Sequence, residues 1–134
     1  PPSPPPSPPP SPPPSPPSLP PPYTFASFAD LRTAVVAFDA DASSAIETYG
    51  PIADWNVAAV TDMESLFGSC PVPCTGGRKP LTRFNADISS WQTSGVTNMK
   101  YMFERASAFD QPVSFDTSSV TDMQGMFYIA KKFN

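Results

Sequence analysis

The sequence lacks residues on which many enzymes and metal proteins depend. It has no histidine and only two cysteines among its 134 residues. Histidine is the commonest side-chain base near neutral pH and a common metal ligand. The residues that are present assemble into no nucleophile–base pair and no phosphate-binding loop. We therefore expect a protein that is not an enzyme and that needs no metal or cofactor.

The chain also lacks a basic surplus and a long apolar run. Its net charge is −4, and its pI is about 4.5. Nucleic acids and anionic membranes attract basic surfaces, so neither is an expected partner. No apolar run reaches the roughly 18 residues of a membrane span, so we expect no membrane insertion. The sequence starts inside a proline repeat, without a signal peptide, which favours a fragment of a longer protein.

Proline divides the chain into two parts. Residues 1–22 consist of proline and serine with one leucine, whereas every charged and aromatic residue lies in residues 23–134. The second part is long enough for one domain. We expect a polyproline II stalk at 1–22, a helical cap at 23–50 and repeats at 51–134, with an insert at 71–82.

The stalk is expected to be a stiff rod. Proline fixes φ and donates no backbone hydrogen bond, which leaves polyproline II as the available conformation. At about 3.1 Å per residue the rod extends roughly 70 Å. Serines recur every four residues, at Ser3, Ser7, Ser11 and Ser15. On a helix with three residues per turn these hydroxyls spiral around the rod, which suits a sheath of glycans.

The Ser-Pro-Pro-Pro pattern resembles the hydroxyproline-rich glycoproteins of plant and green-algal cell walls, extensins among them. The resemblance implies secretion, proline hydroxylation and covalent O-glycans. The implied O-glycosylation positions are Ser3, Ser7, Ser11, Ser15, Pro5, Pro9 and Pro13. Two alternatives stay open: an unmodified linker, and a ligand for SH3 or WW-type domains. The second is weaker because such ligands usually carry a flanking basic residue, and this segment has none.

The cap carries a helix signal. Ser27 and Asp30 have the spacing of a capping box. Apolar residues follow at helical spacing, which predicts a helix over residues 28–38. Residues 39–44 are interpreted as its exit loop. Asp39 and Asp41 in that loop lack the full ligand set of a calcium site, so a solvated loop is expected.

Three copies of one motif fill the rest of the chain. They begin at Val60-Thr61-Asp62-Met63, Val96-Thr97-Asn98-Met99 and Val120-Thr121-Asp122-Met123. In each copy, apolar residues fall at i, i+3, i+4 and i+7 from the methionine, which predicts a helix of about two turns with the threonine as its N-cap. Short, partly alternating segments at 84–88 and 109–113 are interpreted as strand or extended turn. The last two copies are 24 residues apart, a period typical of solenoids.

Several side chains in the repeats have a functional and a structural interpretation. The methionine and phenylalanine stripes are interpreted as core rather than as a ligand groove. Asp62, Asn98 and Asp122 are interpreted as first-turn residues that favour the helix dipole rather than as an acidic site. Asn85, Asp110 and Asn134 recur at one position and are expected to form a polar ladder inside the turns.

The motif Val-Thr-Asp-Met-x-x-x-Phe, followed by Phe-Asn and Ile-Ser-x-Trp, resembles the BspA-type leucine-rich repeat family of surface proteins over residues 46–134. The resemblance implies a solenoid, surface exposure, and adhesion or protein–protein contact. With the helix and strand signals it gives the predicted fold class: an α+β leucine-rich-repeat-like solenoid with an N-terminal capping helix and a polyproline II stalk.

The insert after the first repeat motif contains both cysteines. Cys70 and Cys74 are interpreted as a small disulfide of an oxidising compartment. With no histidine and no second cysteine pair, a zinc site is not expected, and the spacing is wrong for a redox motif. Arg78, Lys79 and Arg83 form a local basic group. It is interpreted either as a contact for acidic polysaccharide or as a solvated loop.

Two functions are compatible with these signals. In the first, the protein is an extracellular structural glycoprotein of a cell wall, flagellar appendage or surface fibre. In the alternative, it is a cell-surface adhesion or protein-binding module held on a proline-rich spacer. The expected partners are other copies of the chain or other extracellular glycoproteins.

Overall fold

The computed structural model describes residues 2–15, 21–69 and 78–133. Two helices lie near the start of the repeat region: α1 at Phe28–Ala40 and α2 at Ala42–Tyr49, followed by a single 3₁₀ turn at Ile52–Asp54. None of the described helices is both long enough and apolar enough to cross a membrane.

The predicted first helix is confirmed. The Ser27 side chain accepts a hydrogen bond from the Asp30 backbone N–H at 3.2 Å, which caps the first turn of α1. The predicted exit loop at 39–44 is wrong, because α1 continues to Ala40 and α2 begins at Ala42. Asp41 makes this tight junction possible. Its backbone N–H closes α1 on Ala37, while its carboxylate accepts from the Ser44 backbone N–H and caps α2.

The predicted fold class is wrong. Among the described residues, the repeats contain neither the short helix nor the short strand of an α+β solenoid, and no sheet is formed. Three isolated parallel bridges are present instead: Thr24 with Asn56, Asp62 with Asn98, and Asn98 with Asp122. The segments predicted as helices are successive tight turns, in which Leu66, Met102 and Met126 each donate to the carbonyl three residues earlier.

The backbone shows why these turns do not become helices. Ser65, Tyr101 and Gly125 occupy the same position in the three repeats, and all have positive φ, at 57°, 53° and 60°. A left-handed residue interrupts a right-handed helix after one turn. In the first two repeats, alternate backbone N–H groups donate to carbonyls of the next repeat and therefore form no hydrogen bonds within a helix. The i, i+3, i+4 pattern therefore reflects repeated turns.

The core consists of aromatic and aliphatic side chains at equivalent positions of the repeats. The rings of Phe67, Phe103 and Phe127 form a column, with centroids 5.0 and 5.3 Å apart and planes within 9° of parallel. A second column contains Phe84, Phe109 and Phe133. Offset aromatic contacts at these distances stabilise the folded state beyond the buried area alone. The stripes predicted as core are confirmed as core in the first two repeats, where Met63, Phe67, Met99 and Phe103 are fully buried.

Candidate functional site

The proline-rich segment is exposed wherever the structure describes it. Residues 2–15 are all accessible, and they include every predicted O-glycosylation position: Ser3, Ser7, Ser11, Ser15, Pro5, Pro9 and Pro13. Exposure is a requirement for modification, and modification itself stays a prediction. The polyproline II stalk and the boundaries at 22 and 50 also remain predictions.

A groove lies where this segment joins the cap. It has a volume of about 510 Å³ and is lined by Pro21, Pro22, Tyr23, Pro51 and the C-terminal half of α2. The Tyr23 and Tyr49 rings meet edge to face, with centroids 4.8 Å apart. Aromatic rings beside prolines offer flat apolar contact with polar tips. Sequence reasoning missed this groove because it joins distant segments that share no periodic pattern.

The groove also has an acidic side. Glu47 and Asp54 line it beside the tyrosines, and no basic side chain is among its lining residues. The side chain of Ile46, which is 42% exposed, supplies additional apolar surface. The groove is therefore suited to an uncharged or basic ligand with flat apolar faces. Its lining residues include no nucleophile with an adjacent base.

The recurrent Asp and Asn of the repeats have a different structural role from the one predicted. Asp62, Asn98 and Asp122 each accept, through the side-chain oxygen, a hydrogen bond at 2.9 Å from the backbone N–H two residues later. These are Asx turns, in which the side chain mimics a backbone turn. The helix-dipole interpretation is wrong because no helix follows. The Glu64 carboxylate accepts a hydrogen bond from the Asn98 side-chain amide of the next repeat.

The threonines of the motif form a ladder rather than helix caps. The backbone N–H and the hydroxyl of Thr97 both donate to the Thr61 carbonyl, and Thr121 donates in the same way to Thr97. The predicted polar ladder at Asn85 is present on the surface, where the Asn85 side chain accepts from the Asp110 backbone N–H at 2.8 Å. Its third predicted member, Asn134, lies outside the described residues.

Two further aspartates shape exposed turns. The carboxylate of Asp87 accepts from the hydroxyl and the backbone N–H of Ser89, and Asp116 accepts from Ser118 in the same way. These hydrogen bonds, the hydroxyl first, lower the pKa of both carboxyls below their usual value. Both carboxylates therefore stabilise the local turns in which they lie.

One buried polar cluster lies between the first two repeats. Glu104 is only 8% exposed, and its carboxylate accepts a hydrogen bond from the Ser69 hydroxyl and pairs with Arg105 at 2.9 Å. Both carboxylate oxygens are thus occupied by local partners. The Ser65 hydroxyl is also buried, and no described group forms a hydrogen bond with it. Within the described ranges, no group of three or more His, Cys, Asp or Glu side chains is arranged to hold a metal ion.

Arg32 is the most heavily bonded charged side chain of the cap. Its guanidinium donates to the carbonyl of Leu66 at 2.5 Å and to that of Lys79 at 2.7 Å, with longer contacts of 3.4 Å to Ser65 and Gly68. Burial, together with the nearby charge of Arg78, lowers the pKa of Arg32 to about 10. A sequence signal existed, because Arg32 lies four residues after Phe28 on the apolar stripe of α1. A charged residue on such a stripe needs a partner.

The predicted basic group does not act as one patch. The Arg78 guanidinium lies 4.6 Å above the Phe28 ring and donates to the Glu64 carbonyl, so it takes part in the cap. Lys79 and Arg83 are exposed. The predicted disulfide between Cys70 and Cys74 lies outside the described residues.

The repeat region matches a known family. The sequence model of a family described as a Mycoplasma protein of unknown function, DUF285, matches residues 36–134. The chain belongs to the DUF285 family. The DUF285 match starts inside α1 and leaves the proline-rich segment outside. DUF285 sequences are found in surface-exposed bacterial proteins, often ones similar to BspA. No curated protein and no solved structure matches this DUF285 chain.

Proposed function

We propose that this DUF285 protein is an extracellular structural glycoprotein, in which a glycan-bearing proline-rich rod carries the repeat region as a protein-contact module. The observation that carries the proposal is the four-residue serine period in residues 2–15, with every serine and proline of that segment exposed. A rod with modification sites on all sides presents a hydrated sheath instead of one binding face. The occurrence of the family in surface-exposed proteins supports a location at the cell surface.

The proposal gives the chain no catalytic role. The polar groups that a catalyst would need are used in turns and caps: the repeat aspartates in Asx turns, Glu104 with Arg105, and Arg32 with backbone carbonyls. Its partners would be other extracellular glycoproteins or further copies of the chain. The finer identity, a wall, an appendage or a fibre, follows from where the native protein is found.

The test is the mass of the proline-rich peptide from natural material. No basic residue lies between residue 1 and Arg32, so trypsin leaves this segment uncut and releases it in one peptide that ends at Arg32. We expect mass increments of single oxygens on proline and of whole sugars on hydroxyproline or serine. The same peptide from bacterially expressed protein is the matched control and should have the unmodified mass. An unmodified mass in the natural peptide refutes the glycoprotein proposal.

An adhesion module on a spacer is the second candidate, and the tyrosine groove favours it. The groove lies next to the rod, and its Tyr23 ring is 44% exposed. We expect Tyr23→Ala to reduce attachment of the protein to isolated cell-wall material if adhesion is the function. The exposed Tyr128, 58% accessible in the third repeat, provides the control position. Equal attachment of both variants and the unaltered chain would argue against adhesion through the groove.

A further inference from the structure

The repeats are joined by a ladder of backbone hydrogen bonds in which, from the methionine of the motif onwards, each repeat donates to the next. The preceding threonine is the exception, since Thr97 and Thr121 donate back to the repeat before them. Backbone N–H groups of the first repeat donate to carbonyls of the second, as Met63 does to Asn98 at 2.8 Å. The second repeat donates to the third in the same way, through Met99, Tyr101, Phe103 and Arg105. The carbonyls of the third repeat that accept these bonds belong to Asp122, Gln124, Met126 and Tyr128. From its methionine onwards, each repeat thus accepts from the one before it and donates to the one after it.

The third repeat has donors at the next positions of this ladder. They are the backbone N–H groups of Met123, Gly125, Phe127 and Ile129, and no described residue accepts from them. We call the backbone of residues 121–129, on the side away from the second repeat, the C-terminal edge. Unpaired backbone donors in a row form a template for another chain.

Side chains on the same edge are more exposed than their equivalents in the first two repeats. Met63 and Met99 are fully buried, whereas Met123, at the same position in the third repeat, is 45% exposed. Phe67 and Phe103 are likewise fully buried, and Phe127 is only partly so. The residue types are unchanged between repeats, so the difference comes from the absence of a covering layer. Both aromatic columns also end on this side, at Phe127 and Phe133.

The opposite side of the first repeat is closed. The carbonyls of Glu64 and Leu66 are the equivalents of those that accept in the later repeats, and here they accept from Arg78 and Arg32. Further along this side, Asn56 exchanges backbone hydrogen bonds with Tyr23 and Phe25. The acceptor side of the ladder is therefore capped within the chain itself.

This asymmetry excludes a second copy as the occupant of the C-terminal edge. A copy stacked head to tail would offer a side whose carbonyls already bind guanidinium groups. A copy related by two-fold symmetry would place four donors against four donors and leave them unsatisfied, which is costly. The occupant must bring free carbonyls at alternate residues and a ring that continues the Phe67–Phe103–Phe127 column.

We propose that the C-terminal edge is a docking surface for one further unit of the same repeat sequence, with the pattern Val-Thr-Asp-Met-x-x-x-Phe. Such a unit carries the acceptor carbonyls at the required spacing and a phenylalanine in register with Phe127. The repeat region would then extend at this edge alone, and two unmodified chains would not associate through it. This inference concerns the backbone and core, so it holds whether or not the proline-rich rod carries glycans.

The test extends the full chain by one unit. Asn134 occupies the position of Asp110, so a second copy of residues 111–134 is appended after Asn134. The protein is produced in bacteria, without glycans, and hydrogen exchange is followed at the amides of the C-terminal edge. We expect exchange at Met123, Gly125, Phe127 and Ile129 to slow by about tenfold or more, because open amides become hydrogen-bonded.

Two control variants keep the test specific. One carries the appended residues in scrambled order, and the other carries Ala in place of the phenylalanine that copies Phe127. We expect no slowing with the scrambled extension and reduced slowing with the alanine variant. Equal exchange in the extended and original chains would overturn the proposal. So would sedimentation that shows the original chain as a stable dimer with these four amides protected, because the occupant would then be a second copy.

Discussion

Replacement of Arg32 by methionine tests whether a guanidinium holds the cap on the first repeat. Methionine keeps a long apolar side chain but removes every donor. The carbonyl of Leu66, in a fully buried residue, loses its short hydrogen bond, and so does the exposed carbonyl of Lys79. A buried acceptor left without a partner costs about 1–3 kcal/mol.

Part of this loss is offset. The pKa of Arg32, lowered to about 10 mainly by burial, indicates that the charged form is poorly solvated in the folded protein. Methionine does not carry that penalty. We therefore expect a net loss of about 1 kcal/mol in the free energy of unfolding. For a domain of this size such a loss lowers Tm by about 4–8 °C.

The assay is urea unfolding followed by tryptophan fluorescence, since Trp55 and Trp91 are both buried in the core. The unfolding slope should stay constant while the midpoint falls. Arg83→Met is the matched control because Arg83 is exposed and its guanidinium has no hydrogen-bond partner among the described residues. It should change stability by less than about 0.5 kcal/mol. Equal midpoints for the Arg32 and Arg83 variants would refute the capping role.

Three further predictions follow from the repeats. Gly68→Ala should destabilise the fold by about 1–3 kcal/mol in urea unfolding, because the added Cβ would lie 2.5 Å from a backbone carbonyl oxygen of the second repeat. Gly95→Ala is the control and should be nearly neutral, because the nearest atom to its added Cβ is 3.6 Å away. Phe103→Ala should cost about 3–5 kcal/mol in the same assay, and Phe103→Leu clearly less; equal losses would contradict a role for the filled column. Ser89→Ala should return the pKa of Asp87 towards its usual value in an NMR titration. Because this pKa is lowered in the folded state, the contribution to stability is present above the unfolded value of 3.8 and is lost as pH falls below it, and an unchanged pKa in the variant would contradict the proposed cause.

The first helix was predictable because several of its signals agree. The Ser27 cap and the apolar stripe from Phe28 to Val35 both indicate a helix, and α1 forms there. The repeat units were also predictable, since equivalent residues recur at fixed spacing and occupy equivalent core positions. In both cases the residues that form the sequence pattern are also the ones that occupy the predicted positions in the folded chain.

The conformation inside each repeat was not predictable from the apolar pattern. Successive turns and a short helix both place residues i, i+3 and i+4 on one side, so periodicity does not separate them. The deciding factor is the competition for backbone N–H groups. Those of Met63 and Ser65 bond to the next repeat, a long-range contact that no local pattern encodes. Left-handed φ at Tyr101, a residue type with no preference for it, carried no warning in the sequence.

Some of the candidate sites could likewise be predicted from the sequence, and others could not. The exposed serine positions could be predicted because composition alone keeps a proline-rich segment out of a core. The tyrosine groove and the Arg32 cap could not be located, since each depends on which distant segments meet. Arg32 contacts Leu66 and Lys79, which are more than 30 residues away in sequence. The anomaly of a charge on an apolar stripe indicates that a partner exists, but not which one.

The ladder between the repeats has a consequence for the order in which the protein folds during synthesis. The capped side is synthesised first. When each later repeat is synthesised, the backbone N–H donors of the preceding repeat are already in place to bind its carbonyls. The backbone N–H groups through which that repeat donates to the next stay unpaired until the next repeat has been synthesised. Domains of growing chains tend to fold from the N-terminus. We therefore expect the folded part of the nascent chain to lengthen one repeat at a time, with each finished repeat guiding the next into place.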